Sequence, residues 1–142
     1  MEHENPRRRP IDDAITEELI RELVHGFYAR IRKDEVLGPI FARVIGENWN
    51  PHLAKMCDFW SSVMRMTRRY KGNPMAAHLR HPIEPEFFDR WLALFGETAD
   101  EVVGPEAARL FRAKAATIAE SLKLALFFRP RRARTTDESP TG

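Results

Sequence analysis

Four side chains that can donate, accept or ligate stand on faces that are otherwise apolar: Tyr28, His52, His78 and Trp91. His78 lies in the stretch Tyr70-Lys71-Gly72-Asn73-Pro74-Met75-Ala76-Ala77-His78-Leu79-Arg80-His81-Pro82. Asn73 is a favoured helix cap, and Pro74 suits the first helical position, where its missing amide costs nothing. Pro82 disfavours helical geometry at His81, so the segment has room for about two turns. Met75, His78 and Leu79, at i, i+3 and i+4, share one face of it. An imidazole aimed inward has two ordinary uses. It can bond a backbone carbonyl, as buried polar groups generally do, or it can ligate a metal centre. For a lone histidine the core bond is the commoner use.

Other chemistries fit less well. His78 and His81 are three apart and His52 could join them, but His81 precedes a proline and leaves the helix, and no glutamate accompanies the pair in the spacing of helical zinc motifs. Cys57 sits on the inner side of an aromatic-rich helix with no basic partner nearby in sequence, which describes a packed thiol better than a nucleophile. Glu84, Glu86 and Asp89 read as solvated charges at a helix end, so no pair of inward carboxylates is available for acid and base work.

The elements that must position these groups are helical. Thr16 is placed to cap a first helix, with Glu17 and Glu18 in its first turn. Leu19, Leu23, Phe27 and Ile31 form one stripe and Ile20, Val24 and Tyr28 the next, a wide apolar face. Gly38-Pro39 breaks this pattern, a short apolar turn of Ile40 and Phe41 follows, and Gly46 interrupts again. Asn50-Pro51 repeats the cap-then-proline signal and opens a second long helix whose inward residues are His52, Met56, Phe59, Trp60 and Val63. Pro85 starts another, with Phe87, Phe88, Trp91, Leu92 and Phe95 inward. Gly104-Pro105 introduces the last, whose stripe is Ala108, Phe111, Ala115, Ile118, Leu122 and Leu126. No period-two alternation and no internal repeat occurs, so the class is all-α.

The 142 residues, 43% of them hydrophobic, suffice for one domain. Residues 1–14 and 129–142 are polar and proline-containing and read as disordered tails around a domain at 15–128. Within 1–10 and 129–142, seven arginines against four carboxylates give +3, while the whole chain carries +2. The body is therefore near neutral, which argues against a nucleic-acid face. A single cysteine excludes an internal disulfide framework and fits a reducing cytoplasm. No apolar run approaches the roughly 18 residues of a membrane span.

Four inward polar groups on four helices are more than a core needs. A flat, mostly apolar cofactor with one coordinating centre accounts for the set: one imidazole ligates, and donors on the opposite side meet a bound molecule. The alternative is a helical interaction module without a cofactor, in which these groups satisfy one another.

The motif order decides between the two. Phe27-Tyr28, then Leu37-Gly38-Pro39-Ile40-Phe41, His52 with Phe59-Trp60, Tyr70 through Pro82, and Pro85 through Phe95 with Phe87-Phe88 and Trp91-Leu92 resemble the group III truncated haemoglobins, small globins with a two-over-two helical sandwich. The absence of a Gly-Gly pair agrees with the third group. The resemblance covers nearly all of the region from Thr16 to Phe128.

It implies a haem b cofactor with His78 as proximal iron ligand. Tyr28, His52 and Trp91 then face the distal ligand site, Phe41 packs against the porphyrin, Met56 borders the ligand and Trp60 lies further in. Met75 and Leu79 flank the proximal histidine. Arg68, Arg80 and His81 are the cations available to the propionates. The implied ligands are dioxygen, carbon monoxide or nitric oxide, and the three polar groups converging on one site point to tight binding and slow release. Slow release would suit redox chemistry on the ligand, such as nitric oxide oxidation or peroxide reduction, with a separate reductase, better than delivery.

Overall fold

The computed structural model describes residues 14–72 and 84–127, without the side chains of 126 and 127. Among these residues there are five helices and no strand: α1 (Glu17–Lys33), α2 (Leu37–Ile45), α3 (Trp49–Arg65), α4 (Pro85–Val102) and α5 (Pro105–Phe127). The short helix expected between Pro74 and His81 lies outside the described residues.

Helix α1 begins where its cap demands. Thr16 Oγ1 accepts the Leu19 amide at 3.1 Å, satisfying one of the first-turn donors that have no partner inside a helix. Both predicted stripes are inside: Ile20, Leu23, Val24, Phe27, Tyr28 and Ile31 are buried, and Leu19 packs against the core edge.

Two boundaries differ from the expectation. Gly38-Pro39 does not precede a mere turn but lies within the first turn of α2, where a proline amide has no helical acceptor to miss. Asp34 makes this start possible, its Oδ2 accepting the amides of Val36 at 3.1 Å and Leu37 at 2.8 Å. Gly38 itself is required by proximity. A Cβ there would lie 2.9 Å from the Arg32 carbonyl oxygen, so only glycine lets α2 turn back so closely on α1. Likewise α3 starts at Trp49 rather than at Asn50-Pro51, with the His52 amide bonded to the Asn48 carbonyl at 3.1 Å.

The helices form two layered pairs, α1 with α3 and α4 with α5, and α1 joins the layers by packing on α4. This is the expected two-over-two arrangement. Phe95 sits at the centre, stacked with Trp60 at 5.2 Å and with Trp91 at 5.3 Å, while Phe27 meets it edge-on at 5.1 Å. Each such ring pair contributes roughly 0.5–1.5 kcal/mol beyond area burial.

Charged contacts lock the frame at its margins. Glu17 at the start of α1 accepts from Ser61 at 2.7 Å and Arg65 at 2.6 Å, and Arg69 approaches its other oxygen at 3.0 Å. Burial by itself would raise the Glu17 carboxyl, but the bonds from Ser61 and Arg65 and the Arg69 charge outweigh it and hold the group below its usual range. The Tyr70 amide bonds Ser62 Oγ at 2.8 Å, and the Tyr70 ring meets Phe59 edge-on at 5.2 Å. The chain leaving α3 is thus tied down on its way to the segment that carries His78. No helix among the described residues is long and apolar enough to cross a membrane.

Candidate functional site

Neighbouring residues of α1 face two ways. Phe27 enters the Phe95 stack, whereas Tyr28, only 5% exposed, turns to the corner formed by α2 and the start of α3. There its ring lies 5.9 Å from Phe41, 6.1 Å from Trp49 and 5.1 Å from His52, the last edge-on at 87°. From the opposite layer, Trp91 of α4 hydrogen-bonds the Tyr28 hydroxyl. An indole nitrogen can only donate, so the tyrosine oxygen is the acceptor and its own proton remains free to donate elsewhere. Burial pushes the hydroxyl well above its ordinary pKa and the Trp91 bond offsets this only in part, which keeps Tyr28 protonated.

His52 opens the inward row of α3 as the spacing predicted, and its state is unusual. Burial, helped by the charge of Lys55, pushes its pKa down to about 4, so the imidazole is neutral near pH 7. Its Nε2 is buried with no hydrogen-bond partner. An orphaned buried polar atom costs about 1–3 kcal/mol, and proteins keep such groups where a ligand or water answers them.

The rest of that row supports a site. Trp60, Ser61 and Met64 are sealed in the core, yet Met56, Phe59 and Val63, in line with His52, remain half-buried, as does Phe41 opposite. A helix face that is neither solvated nor closed, apolar but for one unanswered imidazole, suits a flat apolar cofactor carrying a polar ligand.

Of the predicted site residues, Tyr28, His52, Trp91 and Phe41 come together here and Met56 lies one turn along α3. Trp60 lies deeper, 3% exposed and stacked on Phe95. His78, Met75 and Leu79 lie outside the described residues, as do Arg80 and His81; Arg68 is exposed in the segment after α3. Cys57 is half-buried, and burial together with the Asp58 charge raises its thiol, the behaviour of a packed cysteine.

Sequence reasoning missed Trp49, which meets both Tyr28 and His52, the latter edge-on at 5.7 Å. The i, i+3 spacing from His52 was the available signal, masked by the proline cue that set the helix start two residues too late. It also missed Arg90, whose Nε and Nη2 donate to Asp34 at 2.8 and 3.0 Å across 56 residues of chain. That bond foremost, with the amides of Leu37 and Val36, holds the Asp34 carboxyl down at about 2.

A family model described as bacterial-like globin matches residues 12–123. The chain belongs to that family, among the group III truncated haemoglobins. The group 3 truncated hemoglobin ctb of Campylobacter jejuni subsp. jejuni is 37% identical to this globin over 119 residues, 81% of this chain and 94% of that protein. The group 2 truncated hemoglobin YjbI of Bacillus subtilis is 33% identical over 92 residues, 63% of this chain and 69% of that one. Among solved structures, the group III truncated hemoglobin from Campylobacter jejuni superimposes with a TM-score of 0.77 at 36% identity, covering 82% of this globin and 94% of that chain. Membership implies a haem cofactor and small gaseous ligands, and the corner around Tyr28 and His52 fits both.

Proposed function

We propose that this globin holds haem b on His78 and retains dioxygen or another diatomic ligand beside Tyr28, with high affinity and slow release. The observation that carries this reading is the buried, unpartnered His52 Nε2 held edge-on against the Tyr28 ring at 5.1 Å, with the Trp91 indole acting on the Tyr28 hydroxyl from the opposite layer. When bound, haem supplies an iron centre with an open position for a diatomic gas. Phe41, Met56 and Phe59 would border it, and Met75 and Leu79 would flank the proximal imidazole.

The protein's own part is to meet the ligand. Trp91 occupies the tyrosine's acceptor side, so the hydroxyl proton is left to donate toward a partly negative ligand. A hydrogen bond of this kind contributes about 1.5 to 3 kcal/mol and slows escape by roughly ten-fold to more than a hundred-fold. Neutral His52 can donate or accept at Nε2, so it serves as a second partner to the ligand. Retention on this scale suits chemistry on the ligand, with electrons from an outside reductase, better than delivery.

Two measurements test the reading. Dioxygen release timed by stopped flow should accelerate at least about ten-fold in Tyr28→Phe; an unchanged rate removes Tyr28 from the role. The carbon-monoxide difference spectrum of the ferrous protein should be lost or changed in His78→Ala. A mutant that keeps the wild-type five-coordinate ferrous spectrum overturns the ligand assignment.

A further inference from the structure

His52 is held by rings. Its imidazole is edge-on to Tyr28 at 5.1 Å and 87° and edge-on to Trp49 at 5.7 Å and 89°, and those two rings are themselves 6.1 Å apart. The three form a closed triangle. Hydrogen bonding at Nε2 plays no part in fixing it, because that nitrogen has no partner. A functional histidine usually takes its orientation from a bond on one ring nitrogen. Here a large share of that duty falls to shape.

The two walls of the triangle are anchored differently. Tyr28 is gripped from inside the molecule by Phe27, Phe41 and the Trp91 bond. Trp49 is the first residue of α3, a position where helices fray, yet it is only 9% exposed. Besides Tyr28 and His52, Arg32 in the last turn of α1 lies over it, its guanidinium carbon 4.6 Å from the indole ring centroid. A cation over an aromatic face is attracted by the ring quadrupole, so Arg32 holds the indole from the outer side of the corner.

We infer that Trp49, latched by Arg32, is the positioning residue that keeps the His52 imidazole beside Tyr28 and thereby sets how fast a diatomic ligand gains or leaves the site. The inference rests on the reading of this corner as the ligand side of a haem site. To swing aside, the imidazole must slide out of the wedge between Tyr28 and Trp49. The indole is the wall nearer solvent, so its hold on His52 controls that step. Residues at the start of α3 thus act on a reaction they do not touch, through one imidazole.

Flash photolysis of the ferrous carbon-monoxide complex tests this. Trp49→Leu should speed ligand association by about two- to ten-fold, the worth of an edge-on aromatic pair, whereas Trp49→Phe, which keeps an edge-on ring, should restore the wild-type rate. Arg32→Gln, at an exposed position and tolerable to the fold even should Trp49→Leu fail to fold, should give about a two- to five-fold increase. In a His52→Ala background, neither change should add to the rate. A second readout is independent of ligand kinetics: by NMR of the same complex, the His52 titration should move up toward that of a free imidazole in Trp49→Leu. Wild-type kinetics in both Trp49→Leu and Arg32→Gln overturn the inference, and so does an acceleration that persists without His52, since Trp49 would then act by its own bulk. A wild-type chain that takes up no haem overturns the reading of the site itself, a result distinguishable from a normal haem spectrum with unmoved mutants.

Discussion

Two aromatic clusters grow from adjacent residues of one helix, and they serve opposite ends. Phe27 feeds the stack of Trp60, Phe95, Trp91 and Phe111, and Tyr28 feeds the triangle with Trp49 and His52. The first is hydrocarbon apart from two indole nitrogens, one of which reaches out to the second cluster. The second carries a hydroxyl with a proton to spare and a buried nitrogen with no partner. Close ring packing thus yields cohesion where the rings are apolar and a poised site where they are not. Trp91 belongs to both, stacked on Phe95 and bonded to Tyr28, so the stable cluster orients the reactive one.

The largest expected effect falls on the stack. Phe95→Ala should cost about 3–5 kcal/mol of stability in a denaturant titration. A loss below about 1 kcal/mol would mean that cohesion is spread elsewhere and the contrast is false. Tyr28→Phe should do the reverse, raising dioxygen release at least about ten-fold while lowering stability by only about 1–3 kcal/mol, the penalty for a Trp91 donor left without its acceptor. If the stability loss matched that of Phe95→Ala, Tyr28 would belong to the frame and not to the site.

Smaller effects come from the groups that frame the corner. Asp34→Ala should cost about 1–2 kcal/mol by stripping the cap of α2, and the loss should depend on pH. The Asp34 carboxyl is held near 2 against an ordinary 3.8, so its contribution is complete above 3.8 and disappears as pH falls toward 2. Thermal melts of wild type and mutant should therefore converge at acid pH; parallel curves would show that Arg90 does not hold the carboxylate. Near pH 7 the smallest effect is that of His52, and it grows only on acidification. With a folded value of about 4 against 6.5 unfolded, the imidazole binds a proton on unfolding between those pH values, so stability declines as pH drops from 6.5 to 4. His52→Leu should flatten that part of the profile. An unaltered slope would mean that the corner is wetter than its packing implies.

Much of the site was legible because helical spacing reports facing. Tyr28 stands four residues from Val24 and one from Phe27, and His52 four before Met56, so both had to point inward; Tyr28 is buried, and half-buried His52 turns its Nε2 inside against the Tyr28 ring. The proline cues were less informative. Proline tolerates any first-turn position, so Pro39 and Pro51 mark a neighbourhood of a helix start rather than the residue, and α2 and Trp49 escaped notice for that reason. Arg90 left no signal at all, since nothing local ties it to an aspartate 56 residues earlier.

By itself the sequence determined the four long helices, their buried faces and the kinds of group on them, because each follows from periods of three to four residues along one segment. Only the tertiary structure decided that His52 lies between two rings, that its Nε2 goes unanswered and that Trp91 takes the acceptor side of Tyr28. Those relations join α1, α3 and α4, and they are set by how rigid helices cross in close packing, which no single helix encodes.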